Sequence, residues 1–240
     1  MLGWGGKKRV RALAFLEGDM HSHLLPGIDD GAADEPGALS LIRSLKELGY
    51  ERLVTTPHIY SELYPNTRES LQSAHDRLKP VLDSPLRYAA EYYLDDHVDS
   101  LLQSGEPLLT IHENWVLTEI SFIQPPPDLD RRLFDLQMAG YKPILAHPER
   151  YTYWQGNKQV FGEFKEKGML LQVNLLSLTG YYGRAAMDTA RYLIREEMVD
   201  LAGTDCHHER HIAILQKEAS VLAKWLEPLV RKGKLLNPLV

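Results

Sequence analysis

Asp19–Gly31 reads DMHSHLLPGIDDG. A short apolar run, Leu13–Leu16, precedes it and reads as a strand. It delivers two histidines at spacing two, His21 and His23. Strand side chains alternate with period 2, so the two imidazoles share one side and can grip a single ion. Pro26, Gly27, Asp29, Asp30 and Gly31 complete the stretch with turn chemistry.

The same arrangement recurs outward along the chain. Arg52–Thr56 runs into Pro57-His58, Leu86–Ala90 ends at Glu91, and Glu119 lies near the end of Trp115–Ile120. Pro143–Ala146 ends at His147, and Asp200–Thr204 ends at Asp205-Cys206-His207, a second pair at spacing two. Leu108–Ile111 is expected to pair with Trp115–Ile120, and Met169–Asn174 supplies a further strand.

Helical spacing fills the intervals. Ala38, Leu41, Ile42, Leu45 and Leu48 repeat at period 3.6 between a cap at Asp34 and a stop at Gly49. Thr67 caps a second helix running to about Leu82, and Asp95 and Asp96 cap a short one to Leu102. Further helices are expected at Leu129–Ala139, Lys158–Lys167, Met187–Met198 and His211–Val230. Alternating strands and helices predict a mostly parallel sheet with crossover helices. In (β/α) barrels chemistry sits at the C-terminal strand ends. An open doubly wound sheet would draw only on a few central strands. Ligand candidates at six strand ends fit a closed ring better.

The 240 residues suit one large α/β domain or two small ones, and no internal boundary is evident. Residues 1–12 read as a flexible lead-in and 13–240 as the folded domain. The basic cluster Lys7–Arg11 precedes too few apolar residues for a signal or a membrane span, so no membrane insertion is expected. A net charge of −6 argues against nucleic acid as a partner. Cys206 is the only cysteine, which points to a reducing compartment, the cytoplasm.

Imidazole and carboxylate donors suit Zn, Mn or Fe. Thiol phosphatase chemistry needs an arginine six residues after the cysteine, and Ile212 stands there instead. Cys206 is therefore read as a small apolar packing group. Asp29 reads as a turn former, and His75, His97, His112, His208 and His211 as surface or supporting residues.

DMHSHLLPGIDDG resembles the first motif of the PHP (polymerase and histidinol phosphatase) superfamily, and Leu145–Arg150, LAHPER, looks like its later HPER motif. With Thr56–His58 and Thr204–His207 the resemblance spans nearly the whole chain. Pro26–Gly31, Thr56–His58 and Ala146–Arg150 make the chain most similar to the bacterial capsule and exopolysaccharide protein tyrosine phosphatases. The resemblance implies a single-domain, distorted (β/α)7 TIM-like barrel holding three divalent metal ions, manganese first, with iron or zinc as alternatives. It assigns His21, His23, Glu91 and Asp205 to one ion. Glu91 bridges to a second ion with Glu119 and His147, and Asp30, His58 and His207 take the third. It further implies hydrolysis of phosphate monoesters by a metal-bridging hydroxide. Arg150 is the first candidate to stabilise phosphoryl charge and Arg210 the second, since the segment after His207 departs from the family pattern. Tyr151 and Tyr60 are candidates for a wall around an aromatic leaving group. The implied substrate is a phosphotyrosine protein, the tail of a membrane-bound bacterial tyrosine kinase of polysaccharide export. Another phosphomonoesterase of the superfamily, such as a histidinol-phosphatase, is the alternative.

Overall fold

Seven short parallel pairings build the sheet of the computed structural model, which describes residues 11–240. The expected lead-in up to residue 10, with Lys7, Lys8 and Arg9, lies outside the described residues. The strands are β1 (Gly18–Asp19), β2 (Arg52–Thr55), β3 (His58–Ile59), β4 (Arg87–Tyr88) and β5 (Glu91–Tyr93), then β6 (Trp115–Glu119), β7 (Lys142–Ala146), β8 (Leu170–Asn174) and β9 (Leu201–Gly203). They fall into two sheets, ordered β1-β2-β4 and β3-β5-β6-β7-β8-β9.

The division between the sheets is local. Pro57 has no N–H and interrupts the ladder between β2 and β3. Its carbonyl still accepts from Glu91 N at 3.0 Å, and Thr55 O accepts from Ala89 N at 2.8 Å. At the other edge Ser22 and Cys206 form a parallel bridge. Asp205 N donates to His21 O at 2.7 Å and His23 N to Cys206 O at 2.9 Å. The parallel sheet therefore curls until its first strand meets its last.

Helices α1 (Glu35–Leu48), α2 (Arg68–Leu78), α3 (Asp96–Ser104), α4 (Leu129–Met138), α5 (Gln159–Glu166), α6 (Leu175–Leu178), α7 (Arg184–Arg195) and α8 (Glu209–Arg231) connect and cover the strands. The expected α1 cap is present: Asp34 accepts from Gly37 N at 2.9 Å, and Gly49 ends the helix at φ +115°. Thr67 likewise caps α2, within a capping box with Ser70. One apolar cluster runs from Leu13 to Val240. Among the described residues, no helix is long and apolar enough to cross a membrane.

Two expected strands are corrected. Ala14–Leu16 is a 3-10 turn, and the strand begins at Gly18. Leu13 and Leu16 are both fully buried at spacing three, which a turn can satisfy and an alternating strand cannot. Leu108–Ile111 is not a strand either. Of the expected pairing Ile111 N–H still reaches Trp115 O at 2.9 Å, but the Tyr141 hydroxyl accepts Leu108 N–H at 2.8 Å and the Tyr92 hydroxyl accepts Leu109 N–H at 2.9 Å, so side chains replace the rest of the ladder. Helix α6, four residues long, is too short to leave a periodic signal in the sequence.

Candidate active site

The curled sheet brings its strand ends to one place. His21 Nε2 lies 3.3 Å from both Glu91 Oε2 and Asp205 Oδ1. His23 Nε2 lies 3.6 and 3.4 Å from the same two oxygens. His147 Nε2 stands 3.2 Å from Glu91 Oε1 and 3.4 Å from Glu119 Oε1. Asp30 Oδ1 is 3.7 Å from His58 Nε2 and 3.5 Å from His207 Nε2. All nine residues singled out as metal ligands thus converge. His58 does more than expected: its Nδ1 also faces Glu91 at 3.1 Å and Glu119 at 3.8 Å.

These donors fit divalent ions. Two ligand atoms on one ion, each about 2.1 Å from it, stand about 3.0–3.4 Å apart in tetrahedral or octahedral geometry. Four overlapping groups have their ligand atoms within 4.8 Å of one another: His23-Asp30-His58-His207, His21-Glu91-His147, His21-His23-Asp205 and His58-Glu91-Glu119. Both Glu91 oxygens are buried and make no well-aligned hydrogen bond; imidazole nitrogens face them at 3.1–3.6 Å. A carboxylate so enclosed is costly unless cations meet it.

Neighbours fix the imidazoles so that Nε2 faces the centre. His21 Nδ1 donates to Gln172 Oε1 at 2.9 Å, His23 Nδ1 to Asp29 Oδ2 at 2.7 Å, and His207 Nδ1 to the Asp205 carbonyl at 2.9 Å. This is how metal-binding histidines are generally oriented. Asp29 is the turn former the sequence suggests, taking Gly31 N–H at 3.0 Å, but its other oxygen holds His23 and the His58 backbone. Gln172 and Asn174, which donates to Asp205 Oδ2 at 2.7 Å, carried no sequence signal.

The backbone is shaped around the same point. His147 has φ +34° and Asp205 φ +49°, the left-handed region that side chains rarely occupy. A Cβ on Gly203 would meet Gln172 Nε2 at 2.6 Å and His21 Cβ at 2.7 Å, so only glycine permits β9 to approach this closely.

Charge complements charge throughout. Burial pulls the His21 pKa down, but Glu91 and Asp205 outweigh it and push it up to about 10. His58 likewise reaches about 10 against burial, through Glu91, and His207 about 9, through Asp205 and Asp30. Burial would raise Glu91, yet His21 and His58 hold it well below the usual carboxylate range. The centre is sealed at Glu91 and opens at Asp30, whose side chain is 53% exposed.

Arg150 reaches this site. Its Nη1 donates to Asp205 Oδ2 at 2.8 Å, and its guanidinium carbon lies 4.2 Å from the Tyr182 ring centre and 4.9 Å from that of Phe122. Arg210 is exposed on the first turn of α8, 5.6 Å from the Tyr181 ring centre. Tyr60 stacks on Tyr93 at 3.9 Å, while Tyr64 stacks on His58 at 5.2 Å. Tyr151 is placed differently from the expected wall: it is wholly buried, packed behind His147 and Phe122. Phe122, which the sequence reading passed over, takes the exposed position. Cys206 is buried, and burial with the nearby Asp19 and Asp205 drives its thiol well above the usual range, so it supplies no nucleophile.

Known proteins share this arrangement of chain and fold. The family model described as capsular polysaccharide synthesis, CpsB/CapC, matches residues 18–231. The tyrosine-protein phosphatase YwqE of Bacillus subtilis (strain 168) is 28% identical over 195 residues, 79% of this chain and 77% of that protein. The tyrosine-protein phosphatase CpsB of Streptococcus pneumoniae is 23% identical over 218 residues, 86% of this chain and 89% of that one. A solved structure from work on YwqE and CpsB, described as unique metal-dependent tyrosine phosphatases, superposes with a TM-score of 0.79 at 27% identity, covering 90% of this chain and 92% of that chain.

Proposed function

The chain belongs to the CpsB/CapC family of capsular polysaccharide synthesis, and from that premise we propose that it is a metal-dependent phosphotyrosine-protein phosphatase. The observation that carries the reading is the convergence of five imidazoles and four carboxylates, with Glu91 at their centre, its two buried oxygens facing imidazoles without a well-aligned hydrogen bond. His21, His23, Glu91 and Asp205 would hold one ion, Glu91, Glu119 and His147 a second, and Asp30, His58 and His207 a third. His23 and His58 lie near enough to two groups each to serve either. Manganese is the first candidate, and the same donor set accepts iron or zinc. Bound ions supply positive charge and a water acidified enough to act near neutral pH.

The protein's own groups do the rest. Arg150 is poised to turn from Asp205 and bind the phosphoryl oxygens while staying over the Tyr182 ring. Gln172 and Asp29 keep His21 and His23 in one tautomer. Arg210 stands further out, where it can meet an acidic peptide approaching the mouth.

We read the two sheets as one distorted (β/α)7 barrel, with β2–β3 and β4–β5 as two interrupted strands. The hydrogen bonds across both breaks, and those joining His21 and Cys206 to their neighbours, support this count. Residues 13–240 then act as one catalytic unit behind a lead-in at 1–12. The substrate we favour is the phosphorylated tyrosine tail of a membrane-bound kinase of polysaccharide export, met from the cytoplasm. Phosphate release from a phosphotyrosine peptide and from histidinol phosphate, with added manganese and after chelation, tests the reading. Peptide turnover lost on chelation is expected. A preference for histidinol phosphate would move the function to metabolism.

A further inference from the structure

Phe122 follows Glu119 by three residues, in the loop leaving β6, and 39% of it is exposed. Its ring stacks on the His147 imidazole at 5.6 Å and 21°, and the Arg150 guanidinium carbon lies 4.9 Å from its centre. The loop is fastened just before it. Ile120 N–H donates to the Tyr151 hydroxyl at 3.2 Å, and the Tyr153 hydroxyl donates to the Ser121 carbonyl at 2.7 Å. The two tyrosines that follow the HPER segment therefore secure the loop that presents Phe122.

An exposed aromatic surface thus stands beside both the imidazole and the guanidinium that a phosphate group would approach. We propose that Phe122 is the specificity determinant of this site, selecting esters whose phosphate is attached to an aromatic ring. This rests on the phosphatase reading above and adds to it the group that recognises the leaving side chain. A phosphotyrosine carries its phosphate directly on a ring that can pack against Phe122. A phosphoserine carries it on one methylene and leaves the Phe122 surface uncovered. Ring-on-ring contact of this kind corresponds to a preference of about tenfold.

The test compares metal-loaded wild type with Phe122→Leu and Phe122→Trp. Leucine keeps apolar packing against His147 but removes the ring, and tryptophan restores one. Binding of phenylphosphonate and methylphosphonate is measured by calorimetry, beside turnover of phosphotyrosine and phosphoserine peptides of one sequence. Wild type and Phe122→Trp are expected to favour the phenyl ligand by about tenfold, with Phe122→Leu losing most of that preference and keeping its methylphosphonate affinity. An equal loss for both ligands would mean that Phe122 only positions Arg150, and an unchanged preference in Phe122→Leu would remove it from recognition. Both results overturn the proposal. Selective phenylphosphonate binding without peptide turnover would leave Phe122 as the aromatic selector while refuting the phosphatase reading.

Discussion

Gln172 Oε1 accepts the Nδ1–H of His21 at 2.9 Å and, at 3.3 Å, the backbone N–H of His147. One amide oxygen on β8 therefore sets the tautomer of one histidine and braces another in its left-handed backbone conformation. Replacing Gln172 with leucine leaves both donors buried without an acceptor. We expect metal affinity to fall by about 10–100-fold and stability by about 1–3 kcal/mol. Gln172→Glu, which keeps an acceptor, should recover part of the affinity. Chelator competition measures this, and an unchanged affinity in the leucine variant would remove Gln172 from the site.

Arg150→Ala should separate phosphate handling from metal retention. Asn174 donates to the same Asp205 oxygen at 2.7 Å, so Asp205 stays anchored when the guanidinium is gone. Metal content is expected to stay at the wild-type level while kcat/KM for a phosphotyrosine peptide drops by about 100–1000-fold. Equal kcat/KM values would exclude Arg150 from phosphate stabilisation.

Cys206→Ser tests the chemistry the structure rules against. The thiol is buried and held in its protonated form, so turnover should stay within about twofold of wild type at a stability cost of about 1–3 kcal/mol for the buried hydroxyl. Iodoacetamide should likewise leave the folded protein active. An inactive variant that still folds and binds metal would reopen a role for the sulfur.

The pH dependence follows from the imidazoles. In the metal-free protein Glu91 and Asp205 overcome burial and hold His21 near a pKa of about 10, above its ordinary 6.5. Its ion pairs stabilise the fold fully below pH 6.5, and that contribution is lost as pH rises through 10. Tm of the metal-free protein should therefore fall from pH 7 to pH 10. A metal takes the neutral imidazole, so loading must expel these protons. Metal affinity should accordingly climb with pH and level off near 10, with proton release visible by calorimetry in buffers of differing ionisation enthalpy. An affinity independent of pH between 6.5 and 9 would contradict this.

The sequence was most readable where chemistry and strand end coincide. His21, His23, His58, Glu91, His147 and Asp205 announce themselves because each follows an apolar run, and the fold brings these ends together. The residues that orient them were silent. Gln172 meets His21 across 151 positions, and nothing in the local pattern of β8 marks it as different from a core polar residue. Leu13–Leu16 misled because a short apolar run has no period long enough to separate a strand from a 3-10 turn. Tyr151 misled in another way: proximity to HPER in sequence suggested the site's surface, while its side chain turns into the core. Phe122 was hidden in a proline-rich corner that reads as connecting loop.

The joining of the first strand to the last bears on how the protein is made. Thr204 and Asp19, 185 positions apart, hydrogen-bond beside His21. While a ribosome is still extending the chain, His21 and His23 have emerged, but Asp205 and His207 have not. Contacts of such sequence separation carry a large loop-closure cost and make folding slow. A nascent chain, or one cut before Asp205, thus lacks two of the nine side chains at the centre. An incomplete chain therefore cannot assemble the full ligand set, however well its earlier strands have formed.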